Sequence, residues 1–148
     1  FQANKLTLSN EFLIQSYLYQ LLSSMANDLD TVNREIHLEN RTYYNYVEEA
    51  IRFIEKHYRE NMRITDIAAS IGIDRSYLSY CFKKCIRISP QKYLISYRMN
   101  KAQKYMKETD AKMNEIARWV GYEDPLVFSK VFKNFTGMSP KAYRKYLT

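Results

Sequence analysis

The chain has 148 residues, of which only 3 are Gly and 3 are Pro, while 46% are hydrophobic. So few turn-forming residues exclude a β-sandwich or barrel with many tight turns, and the apolar fraction excludes wholesale disorder. With 23 Lys and Arg against 16 Asp and Glu, the formal net charge is +7, which favours an anionic partner. Two Cys are too few for a disulfide framework, so we expect a cytoplasmic protein. No apolar run approaches the roughly 18 residues of a membrane span, and no membrane partner is expected.

The charge is distributed unevenly along the chain. Residues 1–45 hold three basic and five acidic side chains, a net −2, which leaves 20 basic and 11 acidic side chains, a net +9, on residues 46–148. This shift predicts a domain boundary near residue 45. The chain begins at Phe1 rather than at Met, so we expect it to be a piece of a longer protein.

The hydrophobic pattern predicts helices throughout and therefore an all-α fold. The first helix, residues 9–29, is apolar over more than one face, so we expect it to pack against two surfaces or against a partner. Residues 30–41 are polar and predict either a linker or a weak helix. Seven further helices are predicted over residues 46–58, 64–71, 75–86, 89–107, 114–120, 125–135 and 140–146.

Every proline follows Ser or Asp, which is a pattern of helix starts. Proline at the first helical position lacks an N–H group that would have no helical partner there anyway. Helices are therefore predicted to begin at Pro90, Pro125 and Pro140 rather than to be broken there.

The basic region contains an internal repeat. The matched pairs are Gly72 with Gly121, Asp74 with Glu123, Phe82 with Phe132, Lys83 with Lys133, and Ser89-Pro90 with Ser139-Pro140. The offset is 49 residues for the first two pairs and 50 for the others, so the second copy contains one extra residue. Each copy consists of a short helix, a tight glycine turn and a second helix. This is the pattern of a helix-turn-helix, whose second helix can lie in the DNA major groove.

The helix between the two copies has a length that suits DNA. Its 19 or so residues span about 29 Å at about 1.5 Å per residue, and successive major-groove segments on one face of B-DNA lie about 34 Å apart. We call the second helix of each copy, residues 75–86 and 125–135, its reading helix. We therefore expect the connecting helix to hold the two reading helices in successive major grooves.

Five stretches of this region resemble the DNA-binding domain of the AraC/XylS family. They are TDIAASIGI at Thr65–Ile73, YLSYCFKKC at Tyr77–Cys85, SPQKYLISYRMNKA at Ser89–Ala102, EIARWVGYED at Glu115–Asp124 and FSKVFKNFTGMSPKAYRK at Phe128–Lys145. The resemblance covers about residues 46–148. It implies two helix-turn-helix subdomains joined by a long central helix, and a sequence-specific transcription regulator that is expected to be an activator.

The resemblance also implies partners and a domain order. Double-stranded DNA and RNA polymerase are the expected partners, without a cofactor, a metal or a catalytic site. Residues 1–45 resemble a helical linker and the tail of a missing effector or dimerisation domain. A homodimer is expected to form through residues 9–29 or through that missing domain.

The chain departs from the family at one turn. The family usually has Gly where Arg87 stands, opposite Gly137 of the second copy. The first reading helix is therefore predicted to end with Arg87 in a strained conformation or with a reshaped turn. Arg98 stands at a family Arg position, where it is predicted either to pair with a carboxylate or to bind a phosphate.

Helical position selects the side chains that would face DNA. On each reading helix the large apolar residues, with Val127 among them, form the core side, and the opposite face matches the family's DNA-facing positions. The predicted DNA-binding residues are Arg75, Ser76, Ser79, Tyr80, Lys83, Lys84, Pro125, Leu126, Ser129, Lys130 and Lys133.

These residues have different expected roles. Base edges are within reach of Arg75, Tyr80 and Lys130, although the family often has Arg at the last two positions. Leu126 is expected to pack on a thymine methyl group, and the three serines can bond a base or a phosphate. Phosphates are the expected ligands of Lys83, Lys84 and Lys133.

Other readings of the chain have less support. Trp119 and Tyr122 are spaced for packing rather than for base stacking. Cys81 and Cys85 lie one turn apart, but two ligands do not make a metal site, so packing is favoured. No phosphate loop, nucleophile elbow or paired carboxylates indicate an enzyme. Two alternative functions remain, namely a helical module that binds an acidic protein and a nucleic-acid binder without sequence preference.

Overall fold

The computed structural model describes residues 13–20 and 34–147, with side chains in the second range from residue 41 onward. Within these residues every regular element is a helix, which confirms the all-α fold class. Residues 13–20 are α1. The later helices are α2 Arg34–His57, α3 Ile64–Ser70, α4 Arg75–Ile86, α5 Pro90–Glu108, α6 Met113–Trp119, α7 Pro125–Thr136 and α8 Pro140–Leu147. None of the described helices combines the length and the apolar character needed to cross a membrane.

The N-terminal elements differ from their predicted bounds. Of the helix predicted over residues 9–29, only residues 13–20 lie among those that the structure describes. Helix α2 begins at Arg34 instead of residue 46, so the weak-helix alternative holds for the described part of residues 30–41. This segment is polar, but Arg, Glu and Leu are good helix formers, and they extend a helix that packing stabilises further along. The helix runs through residue 45 without a break.

The chain divides into two compact units, and the first contains the first helix-turn-helix. It comprises the described residues of Phe1–Phe53 together with Ile64–Pro90. Helix α3 packs against α4. The buried side chains of this unit include Val47 and Ala50 from α2, Ile67 and Ala68 from α3, and Leu78, Cys81 and Phe82 from α4.

The second unit contains the second helix-turn-helix. It comprises Ile54–Arg63 and the described residues of Gln91–Thr148, and within it α7 packs against both α6 and α8. Its fully buried side chains include Met99 and Ala102 from α5, Ile116 and Ala117 from α6, Val120, and Phe128 and Phe132 from α7. Each unit thus buries one side of its reading helix.

Arg98 is a buried cation inside the second unit, with 8% of its surface exposed. Its Nε donates to the carbonyl oxygen of Tyr58 at 2.8 Å, and its Nη2 donates to that of Glu60 at 2.7 Å. The guanidinium also lies 5.3 Å from the ring centroid of Tyr122, and burial lowers its pKa. The bonds go to main-chain carbonyls rather than to the predicted carboxylate, because the turn after α2 presents carbonyl groups that no helix satisfies. Arg98 is a structural residue.

The two copies of the motif share the same turn. Gly72 and Gly121 both have positive φ, at 74° and 84°. In each copy the N–H of the next residue bonds back five positions, from Ile73 to Ala68 at 3.1 Å and from Tyr122 to Ala117 at 2.9 Å. This is the bond of a Schellman helix end, which requires a left-handed residue and therefore favours glycine.

The reading helices begin with matched aspartate caps. The Asp74 carboxylate accepts from the N–H groups of Ser76 and Tyr77, and that of Asp124 accepts from Leu126. The predicted match of Asp74 with Glu123 is therefore wrong by one residue, because the capping role falls to Asp124. The extra residue of the second copy lies between Gly121 and its cap.

Helix starts and one helix end follow the predictions. Each of the three prolines is the first residue of its helix, in α5, α7 and α8. Arg87 ends α4 with φ 63° and ψ 8°, close to the φ 81° and ψ −8° of Gly137 at the end of α7. Of the two alternatives at Arg87, the strained conformation is confirmed and the turn is not reshaped.

Gly121→Ala should destabilise the chain far more than Gly72→Ala. Both changes force a side chain into the left-handed region, at about 1–2 kcal/mol. A Cβ on Gly121 would also lie 2.6 Å from the Tyr58 carbonyl oxygen and 2.7 Å from Arg98 Nη2, whereas one on Gly72 meets nothing within 4 Å. Urea unfolding should show a loss of about 1–2 kcal/mol for Gly72→Ala and at least about 3 kcal/mol for Gly121→Ala. Equal losses would contradict this.

Arg87→Gly should stabilise the chain. The change relieves about 1–2 kcal/mol of left-handed strain and costs about 0.5–1 kcal/mol of extra freedom in the unfolded chain. The free energy of unfolding in urea should therefore rise by about 0.5–1 kcal/mol. The matched control is Gly137→Ala, at the equivalent turn, which should lower it. A lower stability of Arg87→Gly would show that the arginine side chain contributes more than its backbone costs.

Candidate nucleic-acid interface

The predicted DNA-binding side chains lie on the faces of α4 and α7 that the core leaves uncovered. All of them are exposed except Ser79 and Ser129, which are half-buried. The predicted core position of Val127 is wrong, because 48% of this side chain is exposed. It lies in the first turn of α7, before the helix meets the buried residues Phe128 and Phe132.

Both reading helices carry positive charge without any acidic residue. Arg75, Lys83 and Lys84 lie on α4, and Lys130 and Lys133 lie on α7. The capping aspartates before each helix direct their carboxylates to backbone N–H groups. In the part of the chain that the structure describes, no carboxylate pairs with the lysines at positions 83, 130 and 133. Each face therefore presents uncompensated positive charge, as a phosphate-binding surface requires.

Two serines are held in the same way in the two copies. The hydroxyl of Ser79 donates to the Arg75 carbonyl at 2.9 Å, and that of Ser129 donates to the Pro125 carbonyl at 2.8 Å. Such bonds to the carbonyl four residues earlier fix the side-chain rotamer against the helix. The hydroxyl group of each serine is therefore held in one orientation, with its proton directed to that carbonyl oxygen.

An aromatic cluster supports the exposed face of α4. Half-exposed Tyr80 has its ring centroid 5.6 Å from that of Tyr43 on α2, edge to face, and 6.2 Å from that of Tyr77, in a stacked arrangement. Lys84 Nζ lies 4.1 Å from the Tyr43 ring centroid and 3.5 Å from the Tyr80 hydroxyl. The cluster joins the reading helix to α2 inside the first unit.

The sequence pattern does not identify Tyr43, because this residue lies between the polar segment 30–41 and the predicted helix start at residue 46 and belongs to neither. The side chain is 9% exposed. A signal was present, since Tyr43 continues the spacing of the buried residues Val47, Ala50 and Ile54 by one more helical turn.

The first turn of α7 exposes apolar side chains, unlike the first turn of α4. Leu126 is 80% exposed and Val127 is beside it, directly after the exposed Pro125. An exposed apolar tip next to Lys130 can contact a thymine methyl group, whereas α4 presents a tyrosine and an arginine in its first turns.

The aromatic residues near the second turn serve packing. Tyr122 lies 5.8 Å from the ring of Phe128 and under the Arg98 guanidinium, and burial raises the pKa of its hydroxyl. Trp119 is 40% exposed and meets Tyr105 edge-on at 5.4 Å. The packing prediction is confirmed for Tyr122, whereas Trp119 packs one edge on Tyr105 and leaves much of its ring exposed.

Cys81 and Cys85 are free thiols that are buried on the core side of α4. Burial raises the pKa of both thiols, that of Cys85 to about 11, which opposes the thiolate form that binds metals. Among the residues with a described placement, no group of three or more His, Cys, Asp or Glu side chains could hold a metal ion. The two cysteines act as small packing residues.

Comparison with known proteins identifies the family. The family described as a helix-turn-helix domain matches residues 67–146. The Msm operon regulatory protein of Streptococcus mutans is 34% identical over 147 residues, which are 98% of this chain and 51% of that protein. The lactose operon transcription activator of Staphylococcus xylosus is 33% identical over 141 residues, which are 95% of this chain and 49% of that protein. The chain spans about half the length of these relatives.

The fold agrees with that of a protein solved on DNA. The DNA-binding domain of AdpA, a global transcriptional factor, in complex with a target DNA, superposes with a TM-score of 0.64 at 25% identity, over 68% of this chain and 90% of that one. Together with the helix-turn-helix match, this shows that the chain belongs to the AraC-type family of DNA-binding transcription regulators, as its motifs implied.

Proposed function

We propose that this chain is the DNA-binding part of a sequence-specific transcription regulator, which inserts α4 and α7 into successive major grooves of double-stranded DNA. The observation that carries the proposal is the pair of matched reading helices, each of which exposes a basic face without an acidic residue. Such a face binds the phosphate backbone, and side chains in its centre can read base edges. We propose no enzymatic activity for it, and the cytoplasm as its location.

The roles of the side chains follow from reach and charge. Arg75, Tyr80 and Lys130 are proposed to contact base edges, and Leu126 a thymine methyl group. The phosphate ligands are proposed to be Lys83, Lys84 and Lys133, at the flanks of the reading helices. The remaining proposed contacts to base or phosphate come from Ser76, Ser79, Pro125 and Ser129.

The domain organisation and the partners beyond DNA are part of the same proposal. Residues 46–148 would form the DNA-binding module, and residues 1–45 a linker that leads to an effector or dimerisation domain. An activating role is supported by the name of the lactose operon relative, which is a transcription activator. RNA polymerase is the partner that such a role would require. Self-association through the region of α1 is supported by its exposed apolar side chains, Leu13, Ile14, Tyr17 and Leu18.

Substitutions on the reading helices should separate base contacts from phosphate contacts. Tyr80→Ala and Lys130→Ala should relax base preference more than they weaken non-specific binding. Lys83→Ala and Lys133→Ala should weaken binding to all DNA and lower the salt slope by about one unit each. Gel-shift competition between a site selected from random DNA and a random duplex measures both effects.

Lys104→Ala is the matched control, because it removes an exposed positive charge from α5, outside the reading helices. Its salt slope should stay that of the wild type. Unchanged affinity for the selected site in all four reading-helix variants would contradict the proposed DNA-binding role of α4 and α7. The absence of any shift would favour a protein-binding module, and equal competition by random DNA a binder without sequence preference.

Charge placed on α1 should weaken self-association of the full chain. In Ile14→Glu together with Leu18→Glu, two carboxylates replace apolar side chains one helical turn apart, and burying them in an interface would be costly. Sedimentation velocity at micromolar concentration should show a dimer for the wild type and a monomer for this variant. Tyr146→Glu, which alters an exposed side chain of α8, is the control. A wild-type chain that stays monomeric throughout would contradict the proposal.

A further inference from the structure

We propose that Tyr43, which lies on α2 outside both helix-turn-helix motifs, is a positioning residue that sets the DNA sequence preference of α4. It would act by holding Tyr80 and Lys84 on the exposed face of that helix. The inference rests on the proposed function, because it names what orients two of the side chains assigned to DNA.

The contacts run from a buried ring to two exposed groups. Tyr43 is 9% exposed, whereas Tyr80 is 49% exposed. Tyr43 meets the Tyr80 ring at an interplanar angle of 80°, an arrangement in which the positive edge of one ring faces the negative face of the other. Its own face receives the Lys84 ammonium, whose Nζ is 4.1 Å from the ring centroid. One side chain of α2 thus contacts two side chains of the reading face.

A second ring, that of Tyr77, also supports Tyr80. Tyr77 stacks on it with rings inclined by 22°, and Tyr77 is itself met edge-on by Tyr46 of α2, at 5.9 Å. Tyr80 is therefore in contact with two rings of one aromatic cluster. Tyr43 also contacts Tyr77, with the ring centroids 6.2 Å apart.

Such support matters because exposed side chains otherwise sample several rotamers. Lysine and tyrosine lose that freedom when they bind a partner, and the loss weakens binding. Packing that selects one rotamer beforehand removes part of this loss and favours the base sequence that suits the held geometry. Tyr43 would therefore affect which sequence is preferred as well as how tightly DNA is bound.

The second copy of the motif lacks the aromatic residues of this cluster and therefore serves as an internal control. At the offset of 50 residues, Tyr80 corresponds to Lys130, Tyr77 to Val127 and Lys84 to Asn134. No aromatic pair stands at these positions of α7. The effect of Tyr43 should be confined to the half-site that α4 reads.

The test uses the full chain, the selected DNA site, and versions of that site with single base-pair changes in each half. Tyr80→Ala identifies the base pairs that depend on α4. Tyr43→Leu should reduce preference at those same base pairs by about 3- to 10-fold, less than the loss of a whole base contact, because Tyr80 is still present, and leave the other half-site unchanged. Tyr43→Phe keeps the ring and should stay within about twofold of the wild type.

A double-mutant cycle decides whether Tyr43 acts through Tyr80. In the Tyr80→Ala background, Tyr43→Leu should cause no further loss of preference, because the base-contacting side chain that it positions is gone and Lys84, the other one, is assigned to phosphate. Full additivity of the two changes would overturn the proposal. So would a Tyr43→Leu chain that binds every DNA more weakly by the same factor, since that is the result of a merely structural role.

Folding and the proposed function are controlled separately. Tyr44→Leu removes a ring of the same helix that packs on Tyr19 of α1 rather than on the cluster of α4, and it should retain the wild-type base preference. If Tyr43→Leu lacks helical circular dichroism, Tyr43→Met, which keeps a long apolar side chain there, is measured with the same expectations. A wild-type chain without base preference would sink the proposed function itself. A wild-type chain that discriminates, beside an equally discriminating Tyr43→Leu, would sink only the role of Tyr43.

Discussion

The structure of both helix-turn-helix motifs depends on one constraint, the turn between their two helices. There the main chain leaves the short helix through a residue in the left-handed conformation and enters the reading helix within a few residues. In both copies a glycine at positive φ makes the turn, and an aspartate carboxylate binds the first N–H groups of the next helix. Because the turn brings the two helices together, each reading helix buries one side and leaves the other to solvent. The turn therefore determines which side of each reading helix is buried and leaves the basic side exposed.

Local signals in the sequence predicted most of this framework, including the repeat, its glycine turns and the three helices that begin at proline. They could not predict contacts between distant segments. Arg98 bonds to carbonyls some forty residues earlier in the chain, and nothing in its own helix indicates that partner. The polar residues before residue 46 hide the helix propensity of this segment, so the predicted start of α2 comes too late and leaves Tyr43 outside the helix. Periodicity predicts a core position for Val127 because it does not show where along a helix burial begins.

The two reading helices share a backbone plan but present different chemistry. Helix α4 combines cations with an aromatic cluster that reaches back to α2, whereas α7 combines cations with an apolar tip. The cluster ties the surface of α4 to a helix that extends as far as Arg34, which gives the N-terminal segment a physical connection to one reading face. If α4 and α7 read DNA as proposed, these unequal faces would suit two half-sites of different sequence.

The serine bonds restrict what those side chains can recognise. Since the protons of Ser79 and Ser129 are directed to main-chain carbonyls, their oxygens offer only lone pairs to a ligand. An atom with only lone pairs repels the bare phosphate oxygens of the backbone and the O6 and N7 atoms of guanine. In the major groove its complementary partners are the amino groups of cytosine and adenine, C N4 and A N6. If both serines contact DNA as proposed, the bond inside the helix would favour bases that carry an amino group over phosphates at these two positions.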